Sequence, residues 1–596
     1  MPALNALTLA AKPDLNACEQ RQASPDFRAR AALTALAKRL PLPWPTPSGT
    51  PPSPKRRFRS AYQAPKPAGL SDPAALDAWA LLGPFDLLLR LVDFSPLRPV
   101  LAAKLYQPSA LGRVPFDPVS LFLLFGWQLV NRWNRLEVLG HLRETRYADY
   151  ARVFGFGGAG GTGGTGGAGG TGKGPFPSES GYRYFLTTLG GASLHDLLVQ
   201  SMSLVRCVGL IPEPLERAAT LSFDGQLHDA ASRLRCPSVG EGCYQPTSAD
   251  ASRACPAREK GQVGCRCDTT ACKSVCKRAA ARDPAARYVW YQGHNRDAPP
   301  PCSPQSASSP ESTPTSQGSE AQPQTARPGG EGRFGYRSLP AQLVDPIWRL
   351  SWTLDEADLA PANRHEESCA GLLLRRVVGE YPWLHVGAAV GDAGLGYAPF
   401  LEAAYALDVR RVIDLRANPR TDHDRDGWAI RGYDDKGWAV CQFGCRLHPN
   451  GYDFERHRMK WCCRQACEAV ESTHSADLSG PPAACPPDCP YRDRAAHPLG
   501  RIINVGKTFA DGSLRLVRDV PYGSTTWKAL YRRGRNAAEG RNARLEEWGL
   551  KRLPVFGQPR SQATIFLADL WANLLQLARL IKEATLAQAS PQTRPA

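Results

Sequence analysis

Apolar positions along this chain follow a helical period up to about residue 200, and strand and helix signals alternate beyond it. Asp117-Pro118 supplies an N-cap and a proline at the first helical position, and the helix it predicts carries Leu121, Leu124, Phe125 and Trp127. A second helix runs through Leu136, Leu139 and Leu142, and Pro177-Ser178-Glu179-Ser180 starts another through Phe185 and Leu189. Residues 220–224 read as a short strand ending on Asp224, and 287–293 and 333–345 as two antiparallel neighbours. Residues 366–381 read as a helix through Leu372, Leu373, Val377 and Val378; 384–390 as a buried strand leading to Asp392; 398–406 as a helix and 411–415 as a strand. Three strands, a helix, a strand, a helix and a strand predict a mixed α/β sheet. A further helix is expected over 527–550.

Between these patterned stretches lie biased ones. Residues 1–76 form a Pro/Ala-rich arm with a basic patch at Lys55, Arg56, Arg57 and Arg59, and are expected to be disordered. Residues 155–174 are almost pure Gly, Ala and Thr. Gly167 to Lys173 fits G-x-x-x-x-G-K, but Gly174 stands where a magnesium-binding hydroxyl is needed and no strand precedes it, so the segment reads as a linker. Residues 298–332 are a Pro/Ser/Gln-rich insertion. With 596 residues the chain is too long for one core, and 42% hydrophobic content excludes wholesale disorder. The balance of 73 Lys+Arg against 56 Asp+Glu leaves +17, which points to a polyanionic partner, nucleic acid first. No stretch reaches the ~18 uninterrupted apolar residues of a spanning helix. Residues 563–581 are broken by Asp569, Asn573, Gln576 and Arg579, and the amino terminus lacks a basic region before its apolar residues, so no membrane partner is expected.

Asp224 and Asp392 each end a strand, and strand ends far apart in sequence can converge at one sheet edge. Paired Mg²⁺ (or Mn²⁺) ions need shared carboxylates, one ion activating the attacking oxygen of a phosphodiester reaction and the other stabilising the leaving oxygen. The helix over 527–550 offers Glu539, Glu546 and Glu547 as a third ligand.

In their order these residues resemble the DDE transposases of bacterial insertion sequences. Phe223-Asp224-Gly225 resembles the first acidic motif of that family. Gly391-Asp392-Ala393-Gly394 followed by Tyr397 resembles the second, with Leu395 and Gly396 as two extra residues. Tyr531, Arg535 and Glu539 resemble the Tyr-Arg-Glu-Lys signature, with one extra residue between Tyr531 and Arg535. FDPVSLFLLF and PSESGYRYFL resemble the family's amino-terminal domain.

The resemblance implies an α/β RNase H-like catalytic core with a β-rich, cysteine-containing insertion, preceded by an all-α domain. Its boundaries would be 77–200 for the helical domain and 201–418 for the first part of the core. The insertion would occupy 419–525 and the completing helices 526–587, with a tail over 588–596. It implies an enzyme that cuts double-stranded DNA at terminal inverted repeats and joins the 3′-OH ends to target DNA, as at least a homodimer in a synaptic complex, in a bacterial cytoplasm beside the nucleoid. Asp224, Asp392 and Glu539 would bind two Mg²⁺ (or Mn²⁺), Arg535 would hold a phosphate or orient Glu539, and Tyr531 would belong to the site. The signature lysine falls at Glu546, so its phosphate contact passes to Arg541, Arg544 or Lys551. Two rivals are a decayed, zinc-stabilised DNA-binding protein and a nuclease without strand transfer.

Eighteen cysteines in a reducing compartment suggest metal ligands rather than disulfides. One cluster, within 236–276, contains Cys265, Cys267, Cys272 and Cys276. The other has three C-x₃-C pairs: Cys441/Cys445, Cys463/Cys467 and Cys485/Cys489. Two such pairs complete a tetrahedral Zn²⁺ site. Cys463, Cys467, Cys485 and Cys489 are the first choice, with Cys441 and Cys445 spaced to replace either pair. Trp428, Trp438 and Trp461 could stack on a displaced base or belong to the insertion's core.

Overall fold

In the computed structural model the described residues are chiefly 38–45, 60–65, 81–106, 114–156, 176–189, 191–209, 219–231, 285–291, 331–345, 350–414 and 522–589, with shorter pieces of 430–506. The amino-terminal part is helical: α1 (Pro84–Leu91), α2 (Leu97–Leu105), α3 (Pro118–Val130), α4 (Arg135–His141), α5 (Ala148–Val153), α6 (Glu179–Thr188) and α7 (Gly191–Cys207). The expected cap of α3 is present. Asp117 accepts the Val119 N–H at 3.1 Å and also holds Arg98 Nη2 at 2.7 Å, so the cap doubles as a buried ion pair. Two pieces of the arm expected to be disordered are packed instead. Leu42 and Pro43 run parallel to Val92 and Asp93, the Trp44 indole donates to Gln200 Oε1 at 2.7 Å, and Tyr62 is buried. The large apolar side chains among the prolines supply the burial that the composition of the arm conceals.

A five-stranded sheet follows. Its strands are β1 (Ala219–Phe223), β5 (Pro340–Asp345), β6 (Leu350–Glu356), β7 (Val386–Gly391) and β8 (Arg410–Ile413), in the spatial order β6-β5-β1-β7-β8. The β6/β5 and β5/β1 pairs are antiparallel, and β1/β7 and β7/β8 are parallel. Helices α8 (Glu367–Glu380) and α9 (Ala398–Ala406) make the crossovers that parallel neighbours require. A second sheet contains β2 (Gln226–Asp229), β3 (Arg287–Tyr291) and β4 (Glu331–Ser338), with β3 antiparallel to β4 as the sequence suggests. The single strand expected over 333–345 is two, β4 and β5, in different sheets, because Pro340 has no N–H to continue a ladder through the corner at Leu339. Strand β6 was not expected at all.

The insertion pairs β9 (Ile430–Tyr433) with β10 (Ala439–Cys441), and β11 (His448–Asp453), β12 (Arg458–Cys462) and β13 (Ile502–Gly506) in an antiparallel sheet. Trp461 is fully buried in its small core, while Trp428 and Trp438 lie outside the described residues. Helix α10 (Thr525–Glu547) then crosses the five-stranded sheet, and α11 (Gln558–Ala589) packs on α1, α6, α7 and β6. Trp571 of α11 stacks on Phe122 at 4.9 Å, and one continuous apolar core joins the amino-terminal helices to the sheet. Among the described residues only Gln558–Thr585 of α11 is long and apolar enough to cross a membrane, and it is buried inside the protein. Asn573 is satisfied there: it accepts the Thr353 N–H at 2.9 Å and donates to the Thr353 carbonyl at 2.8 Å, closing the outer edge of β6 as a neighbouring strand would.

Candidate active site

The sheet register builds the site. Phe223 of β1 lies opposite Gly391 of β7, and Gly391 lies opposite Ile413 of β8. The next residue on each of these parallel strands is a carboxylate: Asp224, Asp392 and Asp414. Three neighbouring strands thus deliver acidic side chains to the same carboxyl edge, where ligands of parallel sheets collect. Asp392 Oδ1 caps the turn that follows by accepting the Gly394 N–H at 2.8 Å. Asp414 belongs to no motif in the sequence; its backbone N–H donates to the Gly391 carbonyl at 3.2 Å.

Helix α10 supplies the rest, and Gly534 sets how close it comes. A Cβ on Gly534 would lie 2.5 Å from Val390 Cγ1, and Ser222 Oγ of β1 donates to the Gly534 carbonyl at 2.8 Å. This seat puts Arg535 against the acidic edge. Its Nη1 donates to Asp224 Oδ1 at 2.7 Å and its Nη2 to Glu539 Oε1 at 3.3 Å, while Asn542 Nδ2 donates to Asp224 Oδ2 at 3.0 Å. One guanidinium therefore ties together two of the three acidic residues singled out from sequence. Glu539 is 62% exposed on the open side. Tyr531 stacks on Trp527 at 4.3 Å; burial, and next the charge of Asp414, raise its pKa. Burial also raises the pKa of Asp224, and Arg535 opposes that shift.

A further carboxylate faces this edge. Glu366 precedes the first turn of α8, and its side chain caps no N–H of that helix. Oε1 accepts from Arg337 Nη1 of β4 at 2.6 Å, and the Gly225 backbone N–H also donates to this carboxylate. A Cβ on Gly225, the residue after Asp224, would lie 2.3 Å from Glu366 Oε1, so the two segments touch only because position 225 is glycine. Burial, with Asp392 next, pushes the Glu366 carboxyl up to about 7. A glutamate at a helix start reads in sequence as a favourable end charge, so no sequence signal separated it.

The residues expected to contact phosphate diverge. Arg541 is buried rather than facing DNA, which removes it from that set. It lies on the stripe Trp527, Leu530, Gly534, Ala538, Arg541, Leu545 that α10 turns inward. Its guanidinium reaches both oxygens of Asp569, at 2.9 and 2.6 Å, together with Glu356, Gln226 and Ser338. Arg544 is half-buried, its pKa lowered to about 10 by burial and by Arg579. Lys551 is exposed and pairs with Glu546 at 3.3 Å. Next to Arg541, His228 bonds the Leu550 carbonyl at 2.8 Å and Ser338 Oγ at 2.9 Å, and burial depresses its pKa to about 4.

The thiols are only partly placed. Cys467, Cys485 and the whole group Cys265, Cys267, Cys272 and Cys276 lie outside the described residues. Cys445 returns its N–H to Cys441 Sγ at 3.3 Å, and Cys463 and Cys489 are buried against each other beside Cys445 and Phe443. Among the described residues the group of three or more His, Cys, Asp or Glu whose ligand atoms lie within 4.8 Å of one another is His195, Asp355 and Glu380. Both His195 nitrogens meet a carboxylate there at 2.7 Å, and Arg376 binds Asp355, so opposite charges balance without an ion. Comparison with protein-family models, curated proteins and solved structures finds no match to this chain.

Proposed function

We propose that this protein is a DDE-type transposase with an RNase H-like core, which cuts DNA at the ends of its element and joins the 3′-OH ends to target DNA. The observation that carries the reading is the register: Asp224 and Asp392 follow paired positions on adjacent parallel strands, and Arg535 links Asp224 to Glu539 across α10. The strand order β6-β5-β1-β7-β8, with one antiparallel arm and one parallel arm, supports the fold. A net charge of +17 supports a polyanionic substrate whose binding weakens steeply with salt.

The donor set suits Mg²⁺ or Mn²⁺: every acidic group at the edge offers hard oxygen. Asp224, Asp392 and Glu539 would hold the ions. When bound, such ions activate the attacking water or 3′-OH and stabilise the leaving oxygen. Asn542 and Arg535 orient the two oxygens of Asp224, and Arg535 also supplies positive charge near Glu539 for a phosphate. Thiolates favour Zn²⁺ in the insertion, and Cys441, Cys445, Cys463 and Cys489 are the described candidates to hold it. Two DNA ends brought together imply at least two copies of the chain.

The test is an excision assay in cells, with the gene and its native flanking DNA on a plasmid and rejoined or circular junctions quantified. Junctions with wild type and none with Asp392→Ala are expected. Their absence from both, with the protein expressed and folded, overturns the reading in favour of a DNA-binding protein. Nicks without joined products favour a nuclease.

A further inference from the structure

We propose that Gln226 is a positioning residue for Asp224, acting through Arg541 and the carboxamide of Asn542. This rests on the metal-dependent reading above, in which Asp224 is a ligand, and adds a residue that no acidic motif contains.

A carboxylate held by one oxygen still turns about its Cβ–Cγ bond, because that torsion is broad. Asp224 is held by both. Arg535 Nη1 donates to Oδ1 at 2.7 Å and Asn542 Nδ2 to Oδ2 at 3.0 Å, so two groups on α10 set the plane of the carboxylate. Arg535 and Asn542 lie two helical turns apart and flank Asp224 from one face. The carboxamide of Asn542 has the same freedom to turn and needs fixing in its own right. Arg541 Nη1 fixes it by donating to Asn542 Oδ1 at 3.2 Å. A guanidinium only donates and an ionised carboxylate only accepts. Oxygen towards Arg541 and nitrogen towards Asp224 is therefore the orientation that satisfies both neighbours.

Gln226 closes the ring. It is buried, opens β2, and follows Asp224 by two positions. Its Oε1 accepts from Arg541 Nη1 at 3.2 Å, and its Nε2 donates to the Asn542 main-chain carbonyl at 3.0 Å. The donor-only guanidinium fixes which end of the glutamine faces which partner, as it does for Asn542. Gln226 thus holds the backbone of Asn542 at a set distance from Asp224, while Arg541 holds its side chain. Arg541 is itself anchored, with Asp569 of α11 taking Nε at 2.9 Å and Nη2 at 2.6 Å. Hydrogen bonds on a ligand from outside the metal's own contacts change metal affinity about 10–100-fold when they are lost.

The experiment titrates Mn²⁺ into full-length, chelator-treated protein and counts bound ions by electron paramagnetic resonance, without DNA. Wild type is compared with Gln226→Met, Asn542→Ala, the double variant and Asp392→Asn, and urea unfolding in chelator checks that each is folded. Methionine keeps the length of Gln226 and lacks its donor and acceptor. Asn542→Ala is expected to weaken Mn²⁺ binding roughly tenfold or more, and Gln226→Met roughly threefold or more. The double variant should bind as Asn542→Ala alone does, because Gln226 then has no carboxamide left to place. If Gln226→Met does not fold, Gln226→Glu, which still accepts from Arg541 but cannot donate to the Asn542 carbonyl, takes its place with the same expectation. Gln226→Met binding like wild type while Asn542→Ala binds weakly overturns the inference, since Gln226 would then only pin α10 to β2. An equal weakening by Gln226→Met with and without the Asn542 side chain overturns it too, because the effect would travel by another route. Asn542→Ala binding like wild type while Asp392→Asn loses Mn²⁺ overturns it and leaves the enzyme reading intact. Wild type binding no Mn²⁺ overturns both.

Discussion

Arg535 and Arg541 lie six residues apart on α10, and their surroundings differ in kind. Arg535 touches two carboxylates at a partly open edge, with Glu539 62% exposed. Arg541 is buried in a closed knot where Asp569, Glu356, Gln226 and Ser338 use its donors. Six residues turn a helix by about 600°, so the two side chains leave it roughly 120° apart. One helix therefore meets a partly open acidic edge on one face and a buried network on another, and under the proposed function the first face serves the chemistry. The buried network fixes the positions of α10, α11 and β6, whereas the edge leaves Glu539 facing water.

The largest effect should come from the acidic edge. Under the proposed function, Asp392→Asn is expected to lower strand-transfer product by about three orders of magnitude, because losing a metal ligand would remove several kcal/mol of transition-state stabilisation and each 1.4 kcal/mol is tenfold. Its urea unfolding curve should match wild type. Product formation by Asp392→Asn at more than about a tenth of the wild-type rate would place the chemistry elsewhere.

Arg541→Met tests the other face. It leaves Glu356 and Asp569 buried without their cation, and breaking such a group costs about 3–5 kcal/mol. Chemical denaturation should show that loss. Arg535→Ala should cost less stability than Arg541→Met, about 1–3 kcal/mol, since Asn542 still binds the largely buried Asp224 and Glu539 faces water, yet it should abolish most product. Equal destabilisation by both substitutions would erase the distinction between the two faces.

How far this division was legible in the sequence depends on what each residue does. Asp224, Asp392 and Glu539 stood out because strand-end carboxylates and a late helical glutamate occur in a recognisable order. The buried stripe of α10 could also have been read, and it contains Arg541; charge alone sent that residue to the DNA side. Glu366 and Asp414 were hidden for another reason. Each follows or precedes a regular element where an acidic residue is ordinary, and only the lateral register of β1, β7 and β8 and the nearness of Gly225 to Glu366 give them a common site. In β6 the alternation of LSWTLD is itself a strand signal; what one sequence does not show is that the face carrying Thr353 and Asp355 is buried too, on partners from α11 and α8. Order along the chain is visible in one sequence; pairing across it is not.

Gly534 connects the two faces, so its substitution should move both by less. In Gly534→Ala the new Cβ must displace either Val390 or the helix, and such overpacking costs about 1–3 kcal/mol. If the helix moves, Arg535 and Glu539 move with it, and a shift of about 1 Å can lower the rate a hundredfold. Stability and product formation should therefore fall together, unlike either arginine substitution. A variant that loses stability and keeps full activity would mean that the sheet yields instead and the site stays whole.

The smallest expected effect concerns a scaffold contact outside the acidic edge. His195 of α7 binds Asp355 at the end of β6 and Glu380 of α8, each at 2.7 Å, with Arg376 on Asp355 as the other cation. The Asp355 bond chiefly, with Glu380 adding and burial opposing, raises the imidazole to about 9 from its usual 6.5. A base whose folded-state pKa is raised stabilises the fold fully below its unfolded value and loses that contribution as pH climbs to the folded one. Stability should accordingly decline between pH 6.5 and about 9, by an amount on the order of 1–2 kcal/mol after allowance for partial solvent screening. Urea unfolding at pH 6.5 and pH 9 measures it. His195→Gln can still donate one hydrogen bond but cannot titrate, so it should lower stability at pH 6.5 and flatten the decline. An unchanged pH slope in that variant would assign the titration to another group and leave His195 a neutral bridge between α7 and the sheet.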